Sequence, residues 1–178
     1  MEILVDSNII LDIFTADRRW FGWSNDMLVS LSKANLLVIN PIIYSEVSVG
    51  FKKIEDLEDA LDPRLFRRDQ MPWEAAFLAG KCFMQYRKQG GKKEAPLPDF
   101  FIGAHAAVAR MQLLTRDETR YKTYFPAVKI ISPKTKFLTE NFKFLCKYPD
   151  AFKGLLRDLK AETDEGKRIK YLQDNLKH

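Results

Sequence analysis

The feature that most constrains this fold is the regular alternation of short apolar runs with amphipathic stretches. Helical patterns separate the apolar runs, which are EILV (2–5), LLVIN (36–40), QLLT (112–115) and AVKII (127–131), with a possible short strand in LFRR (65–68). Strands that alternate with helices indicate βαβ units, whose parallel strands are covered on both faces. The sequence therefore predicts a three-layer α/β/α fold with a central, mostly parallel sheet in a domain of residues 1–133.

The stretches between the apolar runs predict the helices. They are expected at residues 7–14, 24–34, 42–51, 54–61, 72–89 and 99–110, with a short helical or turn segment near 117–125. In the 72–89 helix the apolar side chains of Phe77, Leu78, Cys82 and Met84 are expected to pack in the core. The loop GGKKEAPLP (90–98) is evident from its Gly, Lys and Pro content.

Residues 134–178 follow a different pattern. Apolar side chains recur there at spacings of three and four and no strand pattern follows, which predicts a C-terminal extension of three short amphipathic helices. The extension holds 11 basic and 7 acidic residues, whereas residues 1–133 hold 18 and 17, so most of the net charge of +5 lies in the extension. Two roles stay open for it: a helical interaction surface, or a basic arm that contacts RNA.

The bulk properties favour a cytoplasmic protein. Two cysteines far apart, Cys82 and Cys146, are expected to be small buried side chains in a reducing compartment. Acidic residues interrupt the apolar N-terminus, which argues against a signal peptide, and no apolar run approaches the length of a membrane span. We therefore expect no membrane association.

Four carboxylates are expected at one edge of the sheet. Asp6 directly follows the first apolar run and Asp117 follows QLLT, while Glu46 lies about one turn into a helix after LLVIN. Asp99 opens the helix that leads to QLLT. In an open parallel sheet the ligand crevice lies at the carboxyl ends of the strands, where these residues fall. Each one alone also fits a helix cap or a solvated position.

Four carboxylates in one place need a compensating cation, because their mutual repulsion would otherwise raise their pKa values. Oxygen ligands select hard cations, Mg²⁺ or Mn²⁺. Zinc is disfavoured because the sequence has only two histidines, His105 and His178, and no cysteine pair. A histidine-based, metal-free ribonuclease is disfavoured too, since His105 lies about 240° around the helix from Asp99.

Four motifs in this order and spacing resemble the PIN-domain nucleases, and specifically the VapC-type toxins of prokaryotic toxin–antitoxin pairs. The motifs are MEILVDSNIILDIF, NPIIYSEVS, PLPDFFIGAHA and LLTRDETRYKTYFPAVKIISP. The resemblance covers about residues 1–133, and such toxins commonly end near the equivalent of Pro133. It implies a PIN-like fold whose acidic quartet is Asp6, Glu46, Asp99 and Asp117.

The resemblance also implies an activity and partners. It implies Mg²⁺- or Mn²⁺-dependent endoribonuclease cleavage of RNA, often of a tRNA or ribosomal RNA loop, as well as a homodimer and inhibition by a cognate antitoxin. Asn8 and Thr115 match polar positions of the family motifs, and with Ser7 they are expected to orient the carboxylates.

The chemistry of a phosphodiester fits these residue types. We expect Asp6 and Asp99 to coordinate metal directly, with Glu46 and Asp117 completing one or two sites. Attack by a metal-activated water would leave a 5′-phosphate and a 3′-hydroxyl.

Basic side chains in loops and turns are candidates for RNA contact: Arg18, Arg19, Lys92, Lys93, Arg116, Arg120 and Lys122. The aromatic residues Trp20, Phe21 and Trp23 are expected to pack helices together or to form a partner surface rather than to stack on bases. The alternative to a nuclease is a non-catalytic PIN-like module that binds RNA or protein through the same surface.

Overall fold

A five-stranded parallel sheet flanked by helices forms the protein. The structure, a computed structural model, describes residues 1–133. The strands run in the order β3-β2-β1-β4-β5 and every neighbouring pair is parallel. They are β1 (Glu2–Val5), β2 (Leu36–Ile39), β3 (Phe66–Arg68), β4 (Gln112–Leu114) and β5 (Ile130–Ile131). The predicted α/β fold is confirmed.

Strand β1 lies at the centre of the sheet, between β2 and β4. Its residues Ile3, Leu4 and Val5 are all buried, although successive side chains of a strand point to opposite faces. Both faces of the sheet are therefore covered, as the continuous apolar run predicts. The chain moves outward in one direction through β2 and β3 and in the other through β4 and β5, so a ligand crevice is expected between the carboxyl ends of β1 and β4.

Seven helices connect and flank the strands within the described residues. They are α1 (Ser7–Phe14), α2 (Phe21–Ser32), α3 (Pro41–Ser48), α4 (Ile54–Ala60), α5 (Trp73–Lys88), α6 (Pro98–Val108) and α7 (Thr119–Tyr124).

The start of α3 shows how the sequence determines where a helix begins. The Asn40 side chain accepts hydrogen bonds from the backbone N–H groups of Ile42 and Ile43, and Pro41 occupies the first turn, where its missing N–H costs nothing.

Several boundaries differ from the prediction by one to three residues, and two of these differences have a clear local cause. Helix α2 begins at Phe21, three residues before the predicted start, because Asp17 organises the preceding turn by accepting the N–H groups of Arg19 and Trp20 at 2.9 and 2.8 Å. Strand β5 spans only Ile130–Ile131, since a turn that closes between Val128 and Phe125 takes up the start of the predicted run.

The prediction that the apolar stripe of α5 lies in the core is wrong for two of its four residues. Cys82 is buried and Leu78 is partly buried, but Phe77 and Met84 are 68% and 51% exposed. The buried face of α5 is instead formed by the small side chains Ala75, Ala79 and Cys82. These small residues let α5 pack closely on the rest of the fold, while Phe77 and Met84 lie on its exposed side.

The predicted helical extension of residues 134–178 lies outside the described residues, and the domain boundary near Pro133 stays a prediction. Across residues 1–133, no helix combines the length and the apolar character that crossing a bilayer requires.

The contact of Gly103 with Phe125 yields a stability prediction. A Cβ atom at Gly103 in α6 would overlap the Phe125 ring, so we expect Gly103→Ala to lower the free energy of unfolding by about 1–3 kcal/mol through overpacking. Thermal or urea unfolding followed by circular dichroism measures the change. The matched control is Gly22→Ala in α2, where an added Cβ meets open space and stability should stay the same or rise. Equal effects of the two substitutions would contradict the packing argument.

Candidate functional site

The Asp6 side chain lies at the centre of the candidate site. The residue directly follows β1 and precedes α1, and only 3% of it is exposed. Its Oδ2 accepts hydrogen bonds from Asn8 Nδ2 at 2.7 Å, Thr115 Oγ1 at 2.7 Å and Tyr121 Oη at 3.1 Å. No side-chain bond caps α1, so the helix-cap interpretation of this carboxylate is wrong.

Burial dominates the electrostatics of Asp6. Desolvation raises the pKa of its carboxyl above the usual value, and the nearby Glu46 carboxylate raises it further. The hydrogen bonds from Thr115, Tyr121 and Ser7 act in the opposite direction, because they stabilise the charged form. A buried carboxylate held by several donors, with a second carboxylate close by, is an arrangement that a cation would stabilise strongly.

Ser7 connects Asp6 to Glu46. Its hydroxyl donates to Glu46 Oε2 at 2.8 Å and lies 3.4 Å from Asp6 Oδ1. Glu46 projects from α3, the helix that follows β2, so this contact joins the carboxyl ends of β1 and β2. The structure therefore brings Glu46 to the same edge of the sheet as Asp6.

Thr115 connects Asp6 to the turn that carries Asp117. Besides donating to Asp6, Thr115 Oγ1 accepts from Asn8 Nδ2 at 3.0 Å and from the Asp117 backbone N–H at 3.2 Å. Asn8 Oδ1 also accepts the Arg116 N–H at 3.3 Å. The Asp117 carboxylate itself is exposed and accepts the Thr119 N–H at 3.2 Å, so it also closes the turn that starts α7.

Asp99 lies in the first turn of α6 and forms an ion pair with Arg120 of α7. The Asp99 side chain is 29% exposed. Arg120 and Tyr121 are neighbours in α7. Through them this helix contacts two of the four carboxylates, Asp99 and Asp6. The charge that a metal would neutralise at Asp99 is neutralised here by a guanidinium group.

Six of the predicted site residues form a connected hydrogen-bond network, namely Asp6, Ser7, Asn8, Glu46, Thr115 and Asp117. Asp99 is joined to this network only through α7, where its partner Arg120 precedes Tyr121. Within residues 1–133, no three His, Cys, Asp or Glu side chains stand close enough together to hold a metal ion as they are. The donor set nevertheless suits a hard cation, because it consists of carboxylate oxygens backed by hydroxyl and amide groups. Among the described residues Asp6 Oδ1 has only the long contact from Ser7, which leaves it available as a ligand.

Tyr121 is a site residue that the sequence reasoning missed. It is 2% exposed, and burial raises the pKa of its phenol well above the usual value, with the Asp6 charge adding to the effect. The phenol therefore stays protonated and donates to Asp6. One signal was available in LLTRDETRY, since an aromatic residue one turn into the helix after Asp117 can reach back toward the sheet edge.

Three of the residues predicted to contact RNA are engaged with acidic side chains. Arg116 pairs with Asp12, Arg120 with Asp99, and Lys122 with Glu118 at 3.0 Å. These pairs give the three cations a role in holding α7 and its preceding turn in place.

Two further RNA candidates make contacts of other kinds. The Arg19 guanidinium lies 4.8 Å from the centre of the Trp20 ring, and the backbone carbonyl of Lys93 accepts from Arg87 at 2.7 Å. The Trp20 ring meets the Trp23 ring edge-on at 6.4 Å. This contact agrees with the expected packing role of these aromatic residues.

Asp12 is the second functional residue that the sequence did not reveal. It is 2% exposed, and burial raises the pKa of its carboxyl while the bond from Ser24 Oγ, at 2.7 Å, lowers it. Arg116 Nη1 donates to Asp12 Oδ1 at 2.5 Å. Since Arg116 immediately precedes Asp117, the Asp12–Arg116 pair fastens the turn that carries Asp117 to α1.

Within residues 1–133, no hydrogen bond joins His105 to any of the four carboxylates; its side-chain partner is Asn40. It is 1% exposed, and burial lowers the pKa of its imidazole below the usual value, so the ring is neutral. Its Nδ1 accepts from Asn40 Nδ2 at 3.1 Å. The histidine thus helps to hold Asn40, the residue that caps α3 and thereby places Glu46.

Comparisons with known proteins agree with this fold. The family model for the PIN domain matches residues 3–126. A search of curated proteins found no match.

Solved structures share the fold at low sequence identity. A VapBC2 complex from Rickettsia felis bound to a promoter DNA fragment is 20% identical, with a TM-score of 0.58, and the match covers 74% of this chain and 98% of that chain. VapBC-1 from nontypeable Haemophilus influenzae is 18% identical, with a TM-score of 0.56 and the same coverage. A toxin–antitoxin complex from Klebsiella pneumoniae is 24% identical, with a TM-score of 0.53, and covers 74% and 97% of the two chains.

The Asp12–Arg116 pair yields a prediction about the site. We expect Asp12→Asn to lower the free energy of unfolding by about 1–3 kcal/mol, because it removes one partner of a largely buried ion pair. Hydrogen exchange in the 115–119 turn should also accelerate. The matched control is Glu94→Gln in the exposed 90–97 loop, which should change stability by less than about 0.5 kcal/mol. Unchanged exchange in the turn would show that the pair does not position Asp117.

Proposed function

Because the chain belongs to the PIN domain family, whose members are typically nucleases, we propose that it is a metal-dependent endoribonuclease and the toxin of a type II toxin–antitoxin pair. The bond cleaved would be an RNA phosphodiester. The residues proposed to act are Asp6, Glu46, Asp99 and Asp117, with Ser7, Asn8 and Thr115 orienting them.

One observation carries the proposal: the Asp6 carboxylate is buried at the carboxyl end of the central strand and accepts three side-chain hydrogen bonds on one oxygen. Burying a charge is costly, and the three donors offset that cost while all of them act on the same oxygen. Donors on one oxygen hold the carboxylate in a fixed orientation, so that its second oxygen can be presented to a cation. The buried network therefore supports a ligand role for Asp6.

The proposed cofactor is Mg²⁺ or Mn²⁺. When bound, such a cation would lower the pKa of a water molecule and stabilise charge that develops on the phosphate. Asp6 and Asp99 would hold it directly, while Glu46 and Asp117 would complete one or two sites. Ser7 would hold Glu46 relative to Asp6, and Thr115 would hold the Asp117 turn, so each orienting residue serves two carboxylates.

The Asp99 carboxylate, a proposed metal ligand, forms an ion pair with Arg120. A cation binding at Asp99 would compete with the guanidinium for the same carboxylate. The released Arg120 would then lie beside the site, where a positive charge would favour the phosphate backbone of an RNA substrate. Arg18, Arg19, Lys92 and Lys93 are further proposed RNA contacts, because positive side chains in loops and turns would also favour the phosphate backbone.

The proposed partners follow from the family. The similar structures from Rickettsia and Haemophilus are VapBC proteins, and the one from Klebsiella is a toxin–antitoxin complex. For this chain we accordingly propose a cognate antitoxin protein, a tRNA or ribosomal RNA substrate, a homodimer and a cytoplasmic location. Light scattering of the purified protein measures its oligomeric state.

A non-catalytic binding module is the alternative function. The contacts of two carboxylates are the observation that favours it, since Asp6 is held by protein donors and Asp99 by Arg120. This alternative differs from the nuclease in one measurable outcome, which is RNA binding without cleavage.

RNA cleavage tests the proposed function. Purified, antitoxin-free protein should cleave cellular RNA with Mg²⁺ or Mn²⁺, and a chelator should stop the reaction. We expect Asp6→Asn or Asp99→Asn to lower the cleavage rate by about a hundredfold or more, because a catalytic metal contributes several kcal/mol to transition-state stabilisation. Sequencing the 5′ ends of the cut RNAs identifies the target and shows whether the expected 5′-phosphate is formed.

The matched control for these variants is Glu55→Gln, at an exposed position of α4 away from the candidate site. It should leave cleavage unchanged. Circular dichroism of each variant shows that the fold is retained. Binding of RNA without cleavage by the unaltered protein, in either metal, would replace the nuclease proposal with the binding module.

Metal binding tests the competition at Asp99 separately from activity. We expect Arg120→Ala to tighten Mn²⁺ binding by about two- to fivefold, the equivalent of one partly exposed ion pair that no longer has to be broken. Titration calorimetry or the electron paramagnetic resonance signal of free Mn²⁺ measures the affinity. Lys122→Ala is the matched control, because it removes a cation of the same helix that pairs with Glu118 instead. Equal affinities of the two variants would contradict the competition.

A further inference from the structure

A run of basic residues ends helix α5 and begins the loop that leads to α6. Arg87, Lys88, Lys92 and Lys93 lie within seven residues, and no acidic residue lies among them. All four are exposed. Four positive charges so close together repel one another, and an anionic ligand would relieve that repulsion. We call residues 87–93 the basic segment.

The lysines of the basic segment are available to a ligand. Among the described residues, no carboxylate forms an ion pair with Lys88, Lys92 or Lys93. The three cations of α7 and its preceding turn are all paired, by contrast. The negative end of the α5 dipole attracts Lys88, but it gives no role to the two lysines of the loop. An RNA backbone would therefore meet unpaired cations in this loop rather than on α7.

The end of α5 determines the path of the basic segment. The Gly90 N–H donates to the Arg87 carbonyl at 3.1 Å. The Gly91 N–H donates to the Tyr86 carbonyl at 2.9 Å, which completes a Schellman motif. Gly90 has a φ of 86°, a conformation that glycine adopts without strain. A Cβ atom at Gly91 would overlap the Tyr86 ring, so the backbone at Gly91 lies directly against that ring.

Two further contacts hold the backbone of Lys93. Its carbonyl accepts from Arg87 Nη1 at 2.7 Å, and its N–H donates to Tyr86 Oη at 3.5 Å. Arg87 therefore has a structural role, because it holds the loop that carries the two lysines. The loop has a defined conformation before any ligand binds, and this lowers the entropy cost of binding.

The basic segment lies beside the start of α6, where Asp99 is located. The centres of the Tyr86 and Phe100 rings are 5.8 Å apart, and Phe100 directly follows Asp99. The Phe100 ring also meets the Tyr124 ring of α7 edge-on at 5.0 Å. These rings join the start of the loop to both helices that carry the Asp99–Arg120 pair.

The surface around the basic segment suits a phosphate backbone better than a protein. Between residues 85 and 107, no large apolar side chain is exposed. Protein interfaces have an apolar core, whereas phosphate oxygens are bound by Lys and Arg side chains and backbone N–H groups. An exposed surface with cations and no apolar residue therefore favours nucleic acid as the ligand.

We propose that the basic segment binds the phosphate backbone of the RNA substrate on the Asp99 side of the candidate site. The three lysines make the contacts, and the fit of Gly91 against Tyr86 positions the two in the loop. This inference adds Lys88 to the proposed RNA contacts. It rests on the proposed RNA substrate, but it requires neither a bound metal nor cleavage.

The salt dependence of RNA binding tests the lysines. The full-length protein is titrated with a short 2′-O-methylated single-stranded RNA in EDTA, over a series of KCl concentrations. Each lost phosphate contact lowers the magnitude of the slope of log affinity against log salt by about 0.7, so Lys92→Ala with Lys93→Ala should lower it by about 1.4. The matched control, Lys33→Ala with Lys129→Ala, removes the same charge from two exposed lysines that precede β2 and β5, at the opposite edge of the sheet. It should leave the slope unchanged.

Gly91→Ala tests the positioning separately from charge. An added Cβ would displace the loop from the Tyr86 ring. We expect RNA affinity to fall about fourfold, the equivalent of one phosphate contact at physiological salt, and the slope to weaken although no charge is lost. The matched control is Gly80→Ala in the middle of α5, where an added Cβ meets open space. Circular dichroism shows that each variant keeps the fold.

Each outcome decides the proposal. An unchanged slope in the double-lysine variant, or no RNA binding by the unaltered protein, would overturn it. Unchanged affinity in the Gly91→Ala variant would overturn the positioning by Tyr86. Tighter binding of poly-glutamate than of the RNA would assign the segment to an acidic protein partner instead. RNA binding that meets these expectations, without cleavage in Mg²⁺ or Mn²⁺, would remove the nuclease proposal and still support this inference.

Discussion

The candidate site depends on the burial of one carboxylate at the end of the central strand. Asp6 takes its position from β1, which is paired on both sides, and its Oδ2 collects donors from α1, from the turn after β4 and from α7. Because a buried carboxylate is costly without such donors, the three elements must meet at this point for the fold to be stable. The hydrogen bonds to Asp6 that join α1, α7 and the turn after β4 around β1 are therefore also the ones that assemble the candidate site.

The parallel sheet and the shared edge of Asp6, Thr115 and Asp117 could be predicted from sequence for a physical reason. A parallel sheet covered on both faces requires continuous apolar strands, and the residue after each strand then lies at a common edge. Asp6, Thr115 and Asp117 follow strands directly, so their placement needs no knowledge of side-chain packing. The partner of Asp99 could not be predicted in this way, because the loop before α6 determines where the helix begins but not which cation lies beside the carboxylate.

The residues that escaped prediction are those whose role is set by tertiary distance. Tyr121 and Asp12 look like ordinary helix positions in sequence, and only the packing of α7 and α1 brings them to Asp6 and Arg116. The same limit explains the error on α5. Apolar spacing shows that Phe77 and Met84 share a face of a helix, but it does not show whether that face is buried or exposed.

The arginine residues near the site are those whose contacts differ most from the contacts expected from the sequence. A basic residue in a turn near a proposed nuclease site fits RNA contact, yet Arg116 and Arg120 both contact carboxylates, one that fastens the site and one that belongs to it. The two pairs differ in exposure: Asp12 is 3% exposed in its side chain and Asp99 is 29% exposed. Desolvation makes the first pair costly to separate, whereas solvent can replace the second at little cost. Arg116 thereby belongs to the scaffold, and Arg120 is the cation that the proposed metal would displace at Asp99.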